Sequence, residues 1–166
     1  MTIDLGSRHL HATRAEGLLR VVIDRPERRN ALTIEMYHGL KKAAVLAARD
    51  PAVHVLLVTA AGDWFCVGGE MGGKHEGDTG LDRETDGIDL LPFVQFERCP
   101  KIVVMGINGA CQGGGLNMTL TSDLAIVKVK LFVPYDLISF MTLSRDDHHV
   151  VGPCNSDRFV YRIAAV

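Results

Sequence analysis

The sequence predicts an α/β protein in which strands pair through crossover connections. Three observations predict this class. Short apolar runs of strand length recur along the chain, an amphipathic segment of helix length separates the first two runs, and glycine-rich turns follow two of the runs. The 166 residues are 47% hydrophobic and 23% charged, which is enough apolar material to enclose a core within one domain.

The first predicted strand covers residues 17–24, a β-branched and aliphatic run. It stops at Arg25-Pro26 because proline offers no amide hydrogen to a sheet. Thr33 can cap the helix that follows, and Pro51 marks the end of that helix. The apolar positions of the helix share one flank: Ile34, Tyr37, Leu40, Ala44 and Ala47.

The remaining elements alternate between strands and helices. Residues 53–59 are mostly apolar, as in a strand that is buried on both faces of a parallel sheet. Residues 61–80 are dense in glycine and predict an irregular loop. The later elements are a helix over residues 90–98, a strand over 101–107, a helix over 116–120 and a strand over 123–127.

Charge and composition exclude several classes of partner. The 18 Lys and Arg residues against 20 Asp and Glu give a net charge of −2, so no basic face is implied for nucleic acid or for an anionic membrane surface. No apolar run approaches the roughly 20 residues that cross a bilayer. The first residues lack the apolar core of a secretion signal, and a cytoplasmic location is therefore expected.

The cysteines and histidines do not predict a metal site. The spacing of the cysteines fits neither a paired-ligand zinc module nor a redox dithiol, so they are predicted to be reduced core residues. The 7 histidines are equally scattered, and no metal ligand is expected. The cysteines are Cys66, Cys99, Cys111 and Cys154.

Two glycine-rich turns, over residues 65–71 and 108–115, carry the candidate chemistry. Without side chains, their main-chain N–H groups can approach a ligand closely, and together they could hold a developing anion. Each turn taken alone is weak evidence, because such glycines more often build only a tight turn with no further role. The spacing of Gly106, Gly109 and Gly113 does not fit the dinucleotide-binding pattern, and no Lys-Ser or Lys-Thr follows as in a P-loop.

Four motifs in order resemble the enoyl-CoA hydratase/isomerase family, also called the crotonase superfamily. They are RPERRNAL at residues 25–32, FCVGGEM at 65–71, NGACQGGG at 108–115 and SDLAI at 122–126. The resemblance covers about residues 17–127. It implies a spiral of ββα turns that binds coenzyme A thioesters, with coenzyme A entering as part of the substrate and with no separate cofactor.

The resemblance also implies roles for individual residues. The N–H groups of Gly69 and Gly114 would form an oxyanion hole for the thioester oxygen as it becomes enolate-like. In the loop that precedes the first helix, Arg28 would meet a phosphate of coenzyme A, and Ala31 would present its backbone to the adenine. The wall beside the acyl and pantetheine portions would contain Glu70, Met71 and Gly72.

The sequence departs from the family pattern at three positions. The hydratases have an acid–base glutamate two residues after the glycine triplet, and here that position is Asn117. Asparagine can orient a water or a polar acyl group but cannot exchange a proton at neutral pH, and a role limited to helix-end hydrogen bonds is also open. Asp136 is the nearest acidic candidate for the family's second glutamate, and Glu70 replaces the usual aspartate.

The C-terminal part is expected to diverge from the family. Residues 1–127 are predicted to form a crotonase-like core, and residues 128–166 a tail that matches neither the family's next glycine-rich stretch nor its C-terminal helices. The spiral is therefore expected to be incomplete and the chain truncated, with a native tail and a shifted reading frame both open. A homo-oligomer, trimer or hexamer, is expected only if the missing helices are compensated.

The sequence therefore predicts an enoyl-CoA hydratase/isomerase-like enzyme that stabilises the enolate of an acyl-CoA thioester. One alternative is a catalytically impaired fragment that binds coenzyme A or full-length relatives without turnover. Another is an active member with different chemistry, such as decarboxylation or thioester hydrolysis, to which Asn117 is suited.

Overall fold

The computed structural model describes residues 1–70, 92–128 and 158–161. These residues form a large mixed sheet, a small parallel sheet, three α-helices and one 3-10 helix. The strands are β1 (Thr2–Ile3), β2 (Leu10–Ala15), β3 (Leu18–Ile23), β4 (Val55–Ala60), β5 (Trp64–Cys66), β6 (Ile102–Ile107), β7 (Ala110–Cys111), β8 (Leu124–Lys128) and β9 (Arg158–Tyr161). The helices are α1 (Ile34–Arg49), α2 (Phe93–Glu97) and α3 (Gly114–Leu120), and the 3-10 helix is Pro26–Arg28.

The large sheet has seven strands in the order β1-β2-β3-β4-β6-β8-β9. Its centre is parallel: β3 pairs with β4, β4 with β6 and β6 with β8, while β1, β2 and β9 are added in antiparallel directions. Parallel neighbours need crossover connections, and α1 lies between β3 and β4 in the chain, as α3 lies between β6 and β8. The predicted α/β class is confirmed.

The hydrophobic core lies against the parallel strands. Side chains from β3, β4 and β6 are fully buried, and α1 contacts both β2 and β4. Burial of such aliphatic side chains is the main favourable term in folding. The buried residues of these strands include Leu19, Val21, Ile23, Leu56, Val58, Val103 and Met105.

Helix α1 begins where the sequence predicts. The Thr33 hydroxyl accepts the N–H of Met36 at 3.4 Å, which caps the first turn. Ile34 and Tyr37 are only half-buried, because the first turns of α1 border an open cleft. The predicted flank is confirmed as buried at Leu40, Ala44 and Ala47.

No helix in the described ranges is both long and apolar enough to cross a bilayer.

The sequence prediction misses five strands. Strands β1, β5 and β7 are two or three residues long, too short to display a period of two, and β2 alternates apolar with polar residues without a β-branched run. β5 and β7 pair in parallel as the small second sheet, within segments predicted to be turns. β9 pairs with β8, although it lies in the predicted tail.

Candidate functional site

The two glycine-rich turns are in backbone contact. A Cβ built on Gly68 would lie 3.1 Å from the nitrogen of Gly114, and one built on Gly113 would lie 3.3 Å from the Cα of Gly68. A Cβ on Gly115 would lie 2.7 Å from the carbonyl oxygen of Cys66. The turns can approach this closely only because these positions carry no side chain.

The small sheet holds the turns at this distance. β5 leads into the first turn and β7 into the second. The N–H of Gln112 donates to the carbonyl of Cys66 at 2.8 Å, and the N–H of Gly68 donates to Cys66 Sγ at 3.3 Å. Gly68 and Gly113 have φ angles of 101° and 51°, in the left-handed region that glycine enters without steric cost.

The N–H groups of Gly69 and Gly114 are the donors that the sequence singled out. Gly69 pairs with Leu32 in a parallel bridge. The hydrogen bonds of this bridge are made by the carbonyl of Gly68 and the N–H of Glu70, so the N–H of Gly69 points away from Leu32. Gly114 begins α3, where the first amides have no acceptor within the helix. Within the described residues, neither N–H donates a hydrogen bond.

A tyrosine hydroxyl lies beside both turns. A Cβ built on Gly114 would lie 2.6 Å from Tyr37 Oη, and one built on Gly69 would lie 3.2 Å from the same atom. Burial raises the pKa of Tyr37 to about 12, with a smaller contribution from Cys66, so the phenol keeps its proton at neutral pH. The helix period places Tyr37 on an apolar flank and gives no sign of a role for its hydroxyl.

The loop before α1 is fixed by Asn30. This side chain is fully buried, and its backbone has a φ of 57°. Its Oδ1 accepts the N–H of Arg25 at 2.8 Å, and its Nδ2 donates to the carbonyls of Ala61 and Trp64 at 2.9 and 2.6 Å. The first hydrogen bond closes the loop on itself, and the other two tie it to Ala61, just after β4, and to Trp64 at the start of β5.

An ion pair joins the same loop to the first glycine turn. The guanidinium of Arg25 donates to both carboxylate oxygens of Glu70 at 3.1 Å, and it also donates to the carbonyl of Ala31 at 3.1 Å. The side chains of Arg25 and Glu70 are 13% and 27% exposed, so water screens the pair only in part. The placement of Glu70 beside an acyl group stays a prediction.

An open cleft of about 630 Å³ runs beside this loop and reaches the first glycine turn. Arg28 is exposed at the end of the 3-10 helix, and Ala31 is half-buried. Both lie close to the cleft through the same loop, but their predicted contacts with coenzyme A stay predictions. Arg8 also lines the cleft, and no pattern in the sequence points to it. The lining includes Arg8, Arg28, Tyr37, Gly69 and Glu70.

Asn117 lies on α3 and is exposed. Its N–H donates to the carbonyl of Gly113 at 3.0 Å, and its carbonyl accepts the N–H of Thr121 at 3.1 Å. Its side-chain amide makes no hydrogen bond to the described part of the chain. Of the other candidates, Met71, Gly72 and Asp136 lie outside the described residues, and their roles stay predictions.

Two buried thiols lie beneath the site. Burial raises the pKa of Cys66 to about 11 and that of Cys111 to about 12, so both stay protonated and unreactive at neutral pH. Cys66, Cys99 and Cys111 are free thiols as predicted; Cys66 and Cys111 are buried in the core, Cys99 is only half-buried, and Cys154 lies outside the described residues. In the ranges that the structure describes, no group of three His, Cys, Asp or Glu could hold a metal ion.

Comparison with known sequences identifies the family. The sequence model of the enoyl-CoA hydratase/isomerase family matches residues 13–131, and the chain therefore belongs to this family. A probable enoyl-CoA hydratase of Mycobacterium tuberculosis, EchA14, is 37% identical over 111 residues, which are 64% of this chain and 41% of that protein. The 1,2-epoxyphenylacetyl-CoA isomerase of Escherichia coli is 28% identical over 116 residues, 67% of this chain and 44% of that protein.

A solved structure supports the same assignment. The crystal structure of an enoyl-CoA hydratase from Mycobacterium avium subsp. paratuberculosis has a TM-score of 0.64 and 27% identity, over 76% of this chain and 49% of that one. The predicted crotonase-like fold is confirmed. The chain spans less than half the length of the two curated relatives described above.

Proposed function

We propose that the chain binds an acyl-CoA thioester and stabilises its enolate between the N–H groups of Gly69 and Gly114. The observation that carries this proposal is the backbone contact between the two glycine turns, with 3.1 Å between a Cβ built on Gly68 and the Gly114 nitrogen. The free N–H groups within the described residues and the membership of the family support it.

The chemistry follows from where charge develops. When a proton leaves the carbon next to a thioester, or water adds to the conjugated double bond, negative charge gathers on the thioester oxygen. Two fixed donors stabilise that charged oxygen more than the neutral carbonyl, and the difference lowers the barrier. Each donor of this kind contributes about 3 kcal/mol where it has been removed in other enzymes.

The coenzyme A portion is proposed to lie along the cleft and to bind as part of the substrate. Arg28 would contact a phosphate, because its exposed guanidinium is free to turn toward an anion at the edge of the cleft. The carbonyl of Ala31 already accepts a hydrogen bond from Arg25, which leaves one lone pair for an amino group such as that of adenine. Glu70, Met71 and Gly72 would border the pantetheine.

Asn117 limits the proposed reaction. An amide can orient a water or a polar acyl group, but it cannot carry the proton that hydration moves. We therefore propose enolate stabilisation as the function of the site, with Asp136 as the candidate for the second acidic position and with weak hydration. A cytoplasmic location and a trimeric or hexameric assembly stay predictions of the sequence.

Calorimetric titration tests the binding step. The chain is titrated with crotonyl-CoA, and we expect saturable binding below millimolar ligand. Free coenzyme A serves as the comparison, because it reports the cleft without the acyl group. Absence of heat at millimolar crotonyl-CoA would falsify the proposal.

Substitution at Asn117 tests the reaction step. We expect Asn117→Glu to raise crotonyl-CoA hydration by about a hundredfold, because it supplies a proton carrier. Asn117→Gln is the matched control, since glutamine has the same length as glutamate and no titratable proton. This variant should hydrate crotonyl-CoA as slowly as the parent. If both variants bind the thioester and neither turns it over, the chain is a binding protein without hydratase activity.

A further inference from the structure

We infer that the hydroxyl of Tyr37 is a third hydrogen-bond donor to the acyl oxygen of the substrate, beside the N–H groups of Gly69 and Gly114. This inference rests on the proposed function and deepens it. The helical period predicts only that Tyr37 lies on the apolar flank of α1, and the family motifs assign no role to its hydroxyl.

The position of the hydroxyl relative to both turns carries the inference. The distance from Tyr37 Oη to a Cβ built on Gly114 is 2.6 Å, and the distance from Tyr37 Oη to a Cβ built on Gly69 is 3.2 Å. The hydroxyl therefore occupies the space directly beside both proposed donors. A ligand oxygen that reaches these two turns has to pass or contact the Tyr37 hydroxyl.

The tyrosine is firmly placed. Its neighbours along α1, Met36 and Leu40, are fully buried in the core, so the helix cannot rotate without exposing them. Tyr37 also lines the cleft that we propose for coenzyme A. The ring is thus held by the core on one side and faces ligand space on the other.

The hydroxyl has a proton to donate, and the residues that the structure describes offer it no acceptor. Within the described residues, Tyr37 Oη makes no hydrogen bond. Burial keeps the phenol neutral, since its pKa is about 12. A neutral phenol in a partly apolar site donates well to a developing enolate oxygen, because the interaction is shielded from water.

Acetoacetyl-CoA is the probe for this inference. Its bound enolate absorbs in the near ultraviolet, so the ratio of enolate to keto form is read directly at one fixed pH. We expect Tyr37→Phe to lower this ratio by about tenfold, since a hydrogen bond to a charged group contributes at least that factor. Binding of free coenzyme A, which has no acyl oxygen, should not change.

Thr13→Val is the matched control. It removes an exposed hydroxyl from β2, away from the cleft, and it should leave the enolate ratio unchanged. A merely structural role for Tyr37 would alter the melting temperature and the binding of both ligands together, without changing the enolate ratio of the bound probe.

A second measurement covers the case in which Tyr37→Phe fails to fold. The parent chain is prepared with 3-fluorotyrosine, whose phenol is a stronger acid and a stronger donor, and the bound enolate fraction should rise. If the parent binds the enolate but both measurements leave its fraction unchanged, the role of Tyr37 is overturned and the proposed function stands. If the parent does not bind acetoacetyl-CoA, both are overturned.

Discussion

The glycine turns and the loop before α1 meet at one cleft, but different forces hold them. The turns depend on the lack of side chains, because only glycine at positions 68, 113 and 115 lets the two backbones come into contact. The loop is shaped by polar atoms that are present, chiefly those of Asn30 and of the Arg25–Glu70 pair. Adding atoms should therefore damage the first region, and removing atoms should damage the second.

The largest effect is expected from adding one methyl group to the turns. Gly115→Ala would place its Cβ 2.7 Å from the carbonyl oxygen and the Cβ of Cys66, and neither atom can move freely. We expect the free energy of unfolding to fall by about 3 kcal/mol. Gly6→Ala is the comparison, since a Cβ there meets nothing within 4 Å and its cost of about 1 kcal/mol comes only from the φ of 82°. Urea titration measures both, and an equal loss in the two variants would contradict the packing argument.

The loop should respond to the loss of one amide. Asn30→Ala leaves the N–H of Arg25 and the carbonyls of Ala61 and Trp64 without their partner. We expect a loss of about 2 kcal/mol in the free energy of unfolding, because buried polar groups without partners are costly. Asn30→Asp keeps the acceptor but turns a second carboxylate oxygen toward the two carbonyls in a buried site, so at neutral pH it should lose more stability than Asn30→Ala. An unchanged Asn30→Ala protein would show that the loop is held elsewhere.

Alkaline pH should act on the turns and not on the loop. The pKa of Cys66 is raised by burial from 9.0 to about 11, so the folded state keeps a proton that the unfolded state loses. Its contribution to stability is present below pH 9 and is lost as the pH rises through 11. The slope reaches about 1.4 kcal/mol per pH unit for one group.

Cys66→Ala isolates this contribution. Denaturant titrations at several pH values should show a shallower fall of stability in this variant than in the parent, while Cys111 and Tyr37 still contribute. Identical slopes in the two proteins would mean that the Cys66 thiol is not shielded from water in the folded state.

The smallest effect is expected at the ion pair. Glu70→Asp shortens the arm by one methylene, so the carboxylate should reach the Arg25 guanidinium with one hydrogen bond where Glu70 makes two. We expect a loss of about 1 kcal/mol in the free energy of unfolding. Glu70→Gln keeps the length and removes the charge, and its stability should depend less on salt than that of the parent. Equal salt dependence in all three proteins would argue against the pair.

The sequence alone predicted the elements whose signals are local. Strands β3, β4, β6 and β8 are mostly apolar runs, and α1 has a capping threonine and an apolar flank. These signals fall within windows of fewer than about 20 residues, where strand and helix periods are visible. The glycine turns were also found, because close approach of two backbones demands a residue type that can be read directly.

The remaining features depend on contacts between distant positions. Arg25 and Glu70 are 45 positions apart, and Asn30 bonds to carbonyls 31 and 34 positions away. The helical period assigned Tyr37 to an apolar flank, because it predicts the face of the helix on which a side chain lies. It does not predict which groups the hydroxyl at the end of that side chain contacts. Such partners become visible only once the sheet has fixed the distances between elements.

The most direct test of the central claim is nuclear magnetic resonance of the chain labelled with ¹⁵N-glycine, with and without saturating acetoacetyl-CoA. The chain has 17 glycines, and we expect large downfield shifts of the amide protons of Gly69 and Gly114 on binding, with those of Gly17 and Gly106, which do not line the cleft, unmoved. Such shifts report new hydrogen bonds from these N–H groups to the ligand oxygen. A saturated complex in which the Gly69 and Gly114 resonances stay at their free positions would contradict the account.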